Sequence, residues 1–314
     1  MRTDKRIIAT FIAALAFIGI FAGFRWEKTS DVGNKAQSEI VTVKSFGTKV
    51  QSAKSNAITG QAFFSSQATT TYEDVVTARS YLVGDVKTGK VYLEQNSKKI
   101  MPIASLSKLL TALVSTTILS SSTKIVIDPS LANLPVDGSG IGVGETFYFS
   151  DLVFAMLLDS SNIAAEAIAS SSGNADFINS MTGYAKELGM TNTSFADASG
   201  LSSYDLSTAK DIFVLAQYLY TEKPEILNIT KTPVSGTATS TEHGSHAFIN
   251  IHPFVNDPRF LGGKTGRTDA AGETMLTMLN INNHPIAFII LGANNGYREH
   301  DTRLLIEAYA SHSQ

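Results

Sequence analysis

The 314-residue chain has a net charge of −3 and a sequence pI near 6.1, so it offers no surplus of positive charge to nucleic acid or to an anionic membrane surface. It contains no cysteine, which excludes thiol catalysis, a disulfide framework and a cysteine-built metal site. The six histidines lack metal-ligand spacing, and His243 and His246 fall in a Gly/Ser/Thr-rich stretch that reads as a loop.

Arg2, Lys5 and Arg6 precede 18 residues without a charge, 7–24. That run just reaches across a hydrocarbon layer of about 30 Å, and the basic tip in front keeps the N-terminus in the cytoplasm. A cleaved signal peptide competes with a retained transmembrane anchor. The run exceeds the usual apolar core of about 7–15 residues, and Arg25-Trp26-Glu27-Lys28 follows without a small-residue cleavage pattern, which favours the anchor. In both cases the working part lies outside the cytoplasmic membrane, and the anchor reading places the chain in the cell membrane as a single-pass protein. Residues 25–72 are polar, with isolated apolar residues such as Val41 and Phe63, and read as a flexible linker. A folded domain is expected over 73–314.

Within that domain Arg79–Val86 and Lys90–Glu94 read as a hairpin closed at Lys87-Thr88-Gly89. Pro102 precedes a buried helix over 103–114 in which Leu106, Leu109, Leu110 and Leu113 recur at helical spacing. A polar region runs from Ser120 to about Glu145. Ser150 is the expected cap of a helix over 151–158; Asp159–Asn162 breaks it, and 163–169 starts another. Further helices are expected at 177–188 and 208–220, strands at 274–281 and 285–293, and a closing helix at 302–310. Strands at both chain ends around a helical middle predict an α+β fold with an antiparallel sheet.

Ser105 and Lys108 are three residues apart and share one helix face. A hydroxyl needs a base to become a nucleophile, and a lysine can be that base once burial lowers its pKa. The helix N-terminus adds a backbone N–H for a developing oxyanion. The pattern alone carries little weight, since Ser121/Lys124 and Ser207/Lys210 repeat it. What distinguishes Ser105 is its sequel: Ser160 and Asn162 between two helices, then Lys264-Thr265-Gly266 opening a strand. Lys87-Thr88-Gly89 precedes the serine and suits a turn, and Ser172-Gly173-Asn174 lies in a polar turn of its own.

In this order the three motifs resemble the signature of penicillin-binding proteins and class A β-lactamases. More of the chain, about Ser80 to Ala310, resembles the serine D-Ala-D-Ala carboxypeptidases of the peptidase S11 type. The similar segments are Gly84–Val91, Ala104–Ala112, Met156–Ala165, Ala185–Thr193, Ser199-Gly200-Leu201, Leu206–Asp211 and Gly263–Gly272. The resemblance implies a β-lactamase/transpeptidase-like fold and a peptidase acting on the D-Ala-D-Ala end, or a D-amino-acid cross-link, of peptidoglycan stem peptides. Ser105 would form the acyl-enzyme, with Lys108 as its base and Ser160 and Asn162 relaying protons and holding the substrate amide. Lys264, Thr265, Gly266 and Arg267 would bind the substrate, and the N–H groups of Ser105 and Arg267 would form the oxyanion hole. β-Lactams would acylate the same serine, and no metal or organic cofactor is implied.

Ser161 stands where the family usually has Gly and Ile163 where Asp is common, both positions expected to tolerate change. Arg267 replaces a frequent aromatic residue or His; it either adds to carboxylate binding or points to solvent. The chain ends after the closing helix, without the C-terminal β-domain of many relatives, which leaves carboxypeptidase and endopeptidase both open. A β-lactamase would need a deacylating Glu with an Asn soon after it, and Glu225 with Asn228 is the nearest candidate. A silent wall-binding scaffold would have no need of the whole set.

Overall fold

The computed structural model describes residues 75–135 and 137–312. The expected membrane helix and linker lie outside the described residues. Among the described residues, no helix is long and apolar enough to cross a membrane.

A hairpin opens the fold, β1 (Ser80–Asp85) and β2 (Val91–Gln95). Its turn is held by the Asp85 carboxylate, which accepts the N–H groups of Lys87 at 2.8 Å and Thr88 at 3.0 Å. After β3 (Met101–Pro102) comes a 3-10 turn, Ala104–Leu106, that runs into helix α1 (Ser107–Ile118). Strands β4 (Lys124–Val126) and β5 (Thr146–Tyr148) pair across a second 3-10 turn, Pro129–Asn133. Three helices follow: α2 (Phe149–Leu158), α3 (Asn162–Ser171) and α4 (Asn174–Glu187). Then come β6 (Leu206–Ser207), α5 (Ala209–Thr221), α6 (Pro224–Lys231) and the hairpin β7 (Val234–Thr237) and β8 (His246–Ile249). The chain closes with β9 (Phe260–Thr268), β10 (Gly272–Ile281), β11 (His284–Ala293) and α7 (Arg298–His312).

The main sheet has the order β2-β1-β11-β10-β9 with antiparallel neighbours, so both ends of the described chain meet in it. Alternation along β11 divides its apolar residues between two faces. Ala287, Ile289 and Leu291 join the helical body, which includes Leu109, Leu113 and Phe213. Ile286, Phe288 and Ile290 face Leu305 and Tyr309 of α7. The sheet is thus covered on both sides, which is why its central strands read as continuous apolar runs. Asp301, in the first turn of α7, accepts the N–H of Thr77 at 3.0 Å and of Ala78 at 2.8 Å, tying the entering chain to the closing helix.

Several expectations need adjustment. Ser150 does not cap α2; it lies inside the helix, and the Ser121 and Thr123 carbonyls take the first N–H groups of Ser150 and Phe149 at 3.2 and 2.8 Å. A distant loop satisfies donors that a side-chain cap would otherwise meet. Helix α5 starts one residue later than expected, because Thr208 is its cap and accepts the Asp211 N–H at 2.9 Å. Helix α6 has Pro224 in its first turn, where proline reads equally well as a stop. His246 opens strand β8 instead of sitting in a loop, and short β4 lies in the region read as polar connection.

Candidate active site

Ser105 sits in the 3-10 turn before α1, half-buried, behind a backbone bend at Ala104 (φ +50°). Helix α1 carries Lys108 on the same face and buries it completely. The ammonium nitrogen lies 2.9 Å from Ser105 Oγ and 2.9 Å from Asn162 Oδ1, and it donates a further short hydrogen bond to the Ser199 carbonyl. The last acceptor has no side-chain signature, so the sequence could not reveal it. Burial pushes the Lys108 pKa down to about 8, against the opposing pull of Asp197, Asp137, Glu166 and Asp205. A buried lysine within hydrogen-bond reach of a hydroxyl can accept its proton.

Two glycines fix the bend. Gly200 has φ +83°, and a Cβ there would run into the Ala104 carbonyl and come within 2.9 Å of Ser105 N. Gly266, on β9, approaches from the other side: its Cβ would lie 2.9 Å from Ser105 N and 3.0 Å from Ala104 Cβ. Thr274 Oγ1 would lie closer still, at 2.5 Å, so close packing against the nucleophile turn requires glycine at 266. Thr274 Oγ1 donates to the Ile103 carbonyl at 2.9 Å and ties the same turn to β10. The loop carrying Gly200 is organised by Asp197, which accepts the N–H groups of Ser199 at 2.9 Å and Ser202 at 2.6 Å.

Ser160 and Asn162 sit where α2 gives way to α3. Ser160 has φ +65°, a strained value for a non-glycine residue, and Ser161 caps α3 through the Ala164 N–H at 3.2 Å. The Asn162 N–H donates to Asp137 Oδ2 at 2.7 Å. Ser161 is wholly buried and bonded, so the position expected to tolerate change carries a cap and a tie.

Lys264 and Thr265 are buried on β9, and Lys264 Nζ donates to the Thr265 carbonyl at 2.9 Å. Burial, then the charges of Lys108 and Arg298, hold the Lys264 pKa well below the usual lysine range. Arg298, from the first turn of α7, donates to the Gly266 carbonyl at 3.3 Å; its separation in sequence from the motifs hid it. Arg267 is exposed and bonds Asn295 Oδ1 at 3.0 Å. Lys264 and Arg298 thus bring two basic side chains together around Gly266, suited to a carboxylate.

The look-alike motifs separate cleanly. Lys124 pairs with Glu242 at 2.7 Å on the surface, Ser207 faces Thr193 at 2.8 Å, and Gly173 (φ +79°) forms the turn between α3 and α4. Glu225 lies on α6, exposed, beside Lys223 at 3.7 Å. Among the described residues there is no group of three or more side chains able to hold a metal ion. Buried His252 accepts the Phe254 N–H at Nδ1 and reaches the Leu276 carbonyl from Nε2, so its ring is engaged on both sides.

The family description of the D-alanyl-D-alanine carboxypeptidases, peptidase S11, matches residues 67–295. The chain belongs to this family. A D-alanyl-D-alanine endopeptidase of Escherichia coli K12 is 30% identical over 259 residues, covering 73% of this chain and 76% of the relative. Penicillin-binding protein D2 of Listeria monocytogenes, in its cefotaxime-bound form, superposes with a TM-score of 0.62 at 32% identity, over 74% of this chain and 97% of that one. The D-alanyl-D-alanine carboxypeptidase of Mycobacterium tuberculosis H37Rv gives a TM-score of 0.68 at 24% identity, over 74% and 91%, and shares the fold.

Proposed function

We propose that this S11 peptidase cleaves the terminal D-Ala-D-Ala bond of peptidoglycan stem peptides through an acyl-enzyme on Ser105 and is inhibited by β-lactams. The observation that carries the reading is the contact of buried Lys108 with Ser105 Oγ at 2.9 Å, with the lysine pKa brought down to about 8. Neutral Lys108 takes the hydroxyl proton as Oγ bonds to the scissile carbonyl carbon. The N–H groups of Ser105 and Arg267 hold the oxyanion. As the C–N bond breaks, the leaving amine takes a proton by way of Ser160 and Lys108, and water then releases the acyl group. Asn162 fixes the Lys108 nitrogen and the substrate amide. Lys264, Thr265 and Arg298 bind the terminal carboxylate, whose charge offsets the cost of burying Lys264.

The alternative leaving group is the D-amino-acid end of a cross-link, and the resemblance to the E. coli protein named an endopeptidase supports it. Both substrates present a carboxylate next to the scissile amide, so one site serves either. Residues 7–24 anchor the chain in the cytoplasmic membrane, residues 25–72 tether it, and the catalytic domain from about residue 73 works outside. The test is mass spectrometry of the full chain in detergent after incubation with benzylpenicillin, beside a Ser105→Ala control. One covalent drug mass on the unsubstituted chain alone is expected. Rapid drug hydrolysis with no stable adduct would instead indicate a β-lactamase, and an adduct retained by Ser105→Ala would remove Ser105 from its role.

A further inference from the structure

The turn that presents Ser160 and Asn162 is fastened to a second loop through a buried polar cluster. Asp137 Oδ2 accepts the Asn162 N–H at 2.7 Å and the Ser161 hydroxyl at 3.0 Å, while Oδ1 accepts the Ser139 N–H at 3.1 Å and its hydroxyl in a short bond. Ser139 and Ser161 hydroxyls lie 3.1 Å apart, with Ser139 only 3% exposed and Ser161 fully buried. One carboxylate thereby collects four donors and sits at the N-terminus of α3, where negative charge is favoured. Ser161 is committed twice, to Asp137 and to the Ala164 N–H.

We propose that Asp137, working with Ser161, is a positioning residue for catalysis: it sets the orientation of the Ser160–Asn162 turn and, through Asn162 Oδ1, the placement of the Lys108 nitrogen against Ser105. The inference rests on the catalytic reading of Ser105 and Lys108 given above. Three features carry it. The turn needs an external hold, because Ser160 is kept at φ +65°. Asp137 binds the backbone of Asn162, the residue whose side chain contacts Lys108 at 2.9 Å. Glycine at 161 could supply neither the cap nor the tie, so the serine and the aspartate work as a pair.

Asp137 also acts on Lys108 through space. The charged groups acting on that lysine are Asp197 and Asp205 from the loop before β6, Glu166 from α3, Asp137, and Lys264 from β9. Asp137 is among the carboxylates that raise its proton affinity. Removing its charge therefore makes Lys108 easier to deprotonate, while removing its hydrogen bonds misplaces the turn.

The experiment measures the second-order rate of Ser105 acylation by benzylpenicillin from pH 5.5 to 9.5, using the full chain and the variants Asp137→Asn and Ser161→Gly. For Asp137→Asn we expect a plateau at least tenfold lower, with the acidic limb displaced to lower pH. For Ser161→Gly the plateau falls and the limb stays in place. A merely structural role would reduce the active fraction, counted by adduct mass at saturation, and leave the rate per active molecule and the limb unchanged. That outcome, or a wild-type profile in Asp137→Asn, overturns the proposal. Absence of any Ser105 adduct in the unsubstituted chain would instead refute the functional reading.

Discussion

Gly200→Ala isolates the packing that bends the chain at the nucleophile. Gly189 is the natural control: its φ of +88° matches the +83° of Gly200, but an added Cβ there meets nothing within 4 Å. An alanine in this conformation costs about 1–2 kcal/mol from backbone sterics alone. Gly189→Ala should stop at that, a loss of roughly 2–8 °C in Tm for a domain of this size. At Gly200 the same Cβ collides with the Ala104 carbonyl and approaches Ser105 N to 2.9 Å, and both obstacles are backbone. Relieving such a clash adds about 1–3 kcal/mol, which brings the loss to roughly 4–20 °C. The displaced atoms also belong to the nucleophile's own peptide, and a shift approaching 1 Å there costs on the order of 100-fold in rate. Differential scanning fluorimetry and benzylpenicillin acylation rates on both variants provide the measurement. Equal Tm losses, with wild-type acylation in Gly200→Ala, would refute the argument that these two backbones are in contact.

Three further outcomes follow from the charges at the site. With Lys108 near pKa 8, its neutral fraction falls from about a half at pH 8 to about 1% at pH 6, so acylation should drop roughly 50-fold over that interval; a flat profile from pH 6 to 8 would exclude Lys108 as the base. Lys264→Met removes a buried cation held against burial and against Lys108 and Arg298, so Tm should hold or rise while acylation falls by about 30-fold or more; a lower Tm with unchanged acylation would remove Lys264 from carboxylate binding. Burial and neighbouring Asp197 raise the Asp205 pKa to about 7, above its unfolded value of 3.8, so its charge destabilises the native state above pH 7. That penalty disappears as pH falls through 7 towards 4, because the native state takes up the proton first. Asp205→Asn should therefore melt higher than wild type at pH 8, by about 2–4 °C or more, and the difference should shrink steadily below pH 7 and close only near pH 4.

How much of this was legible beforehand depends on how local the cause is. Leu109, Leu110 and Leu113 at helical spacing, the turn at Lys87-Thr88-Gly89 and the apolar runs of β10 and β11 each state their element within a few residues. The three motifs were legible for the same reason: side-chain chemistry at short spacing marks Ser105 with Lys108, Ser160 with Asn162, and Lys264 with Thr265 and Gly266. Helix α6 was missed because Pro224 carries opposite meanings at a helix start and a helix stop. The expected cap at Ser150 failed because the Ser121 and Thr123 carbonyls, far away in sequence, had already met the demand.

The sequence alone determined that a serine and a lysine share a helix face, that three polar motifs follow in a fixed order, and that apolar strands at both chain ends enclose a helical middle. Tertiary structure decided the parts that depend on backbone atoms and on charge in a dry interior. The Ser199 carbonyl holds the lysine, Gly200 and Gly266 close on the Ala104–Ser105 peptide, and Arg298 joins Lys264 from the last helix. A carbonyl group is the same in every residue, and a lysine's pKa is set by how much water surrounds it. Neither property is written in residue type or spacing, so both become fixed only when the distant segments pack together.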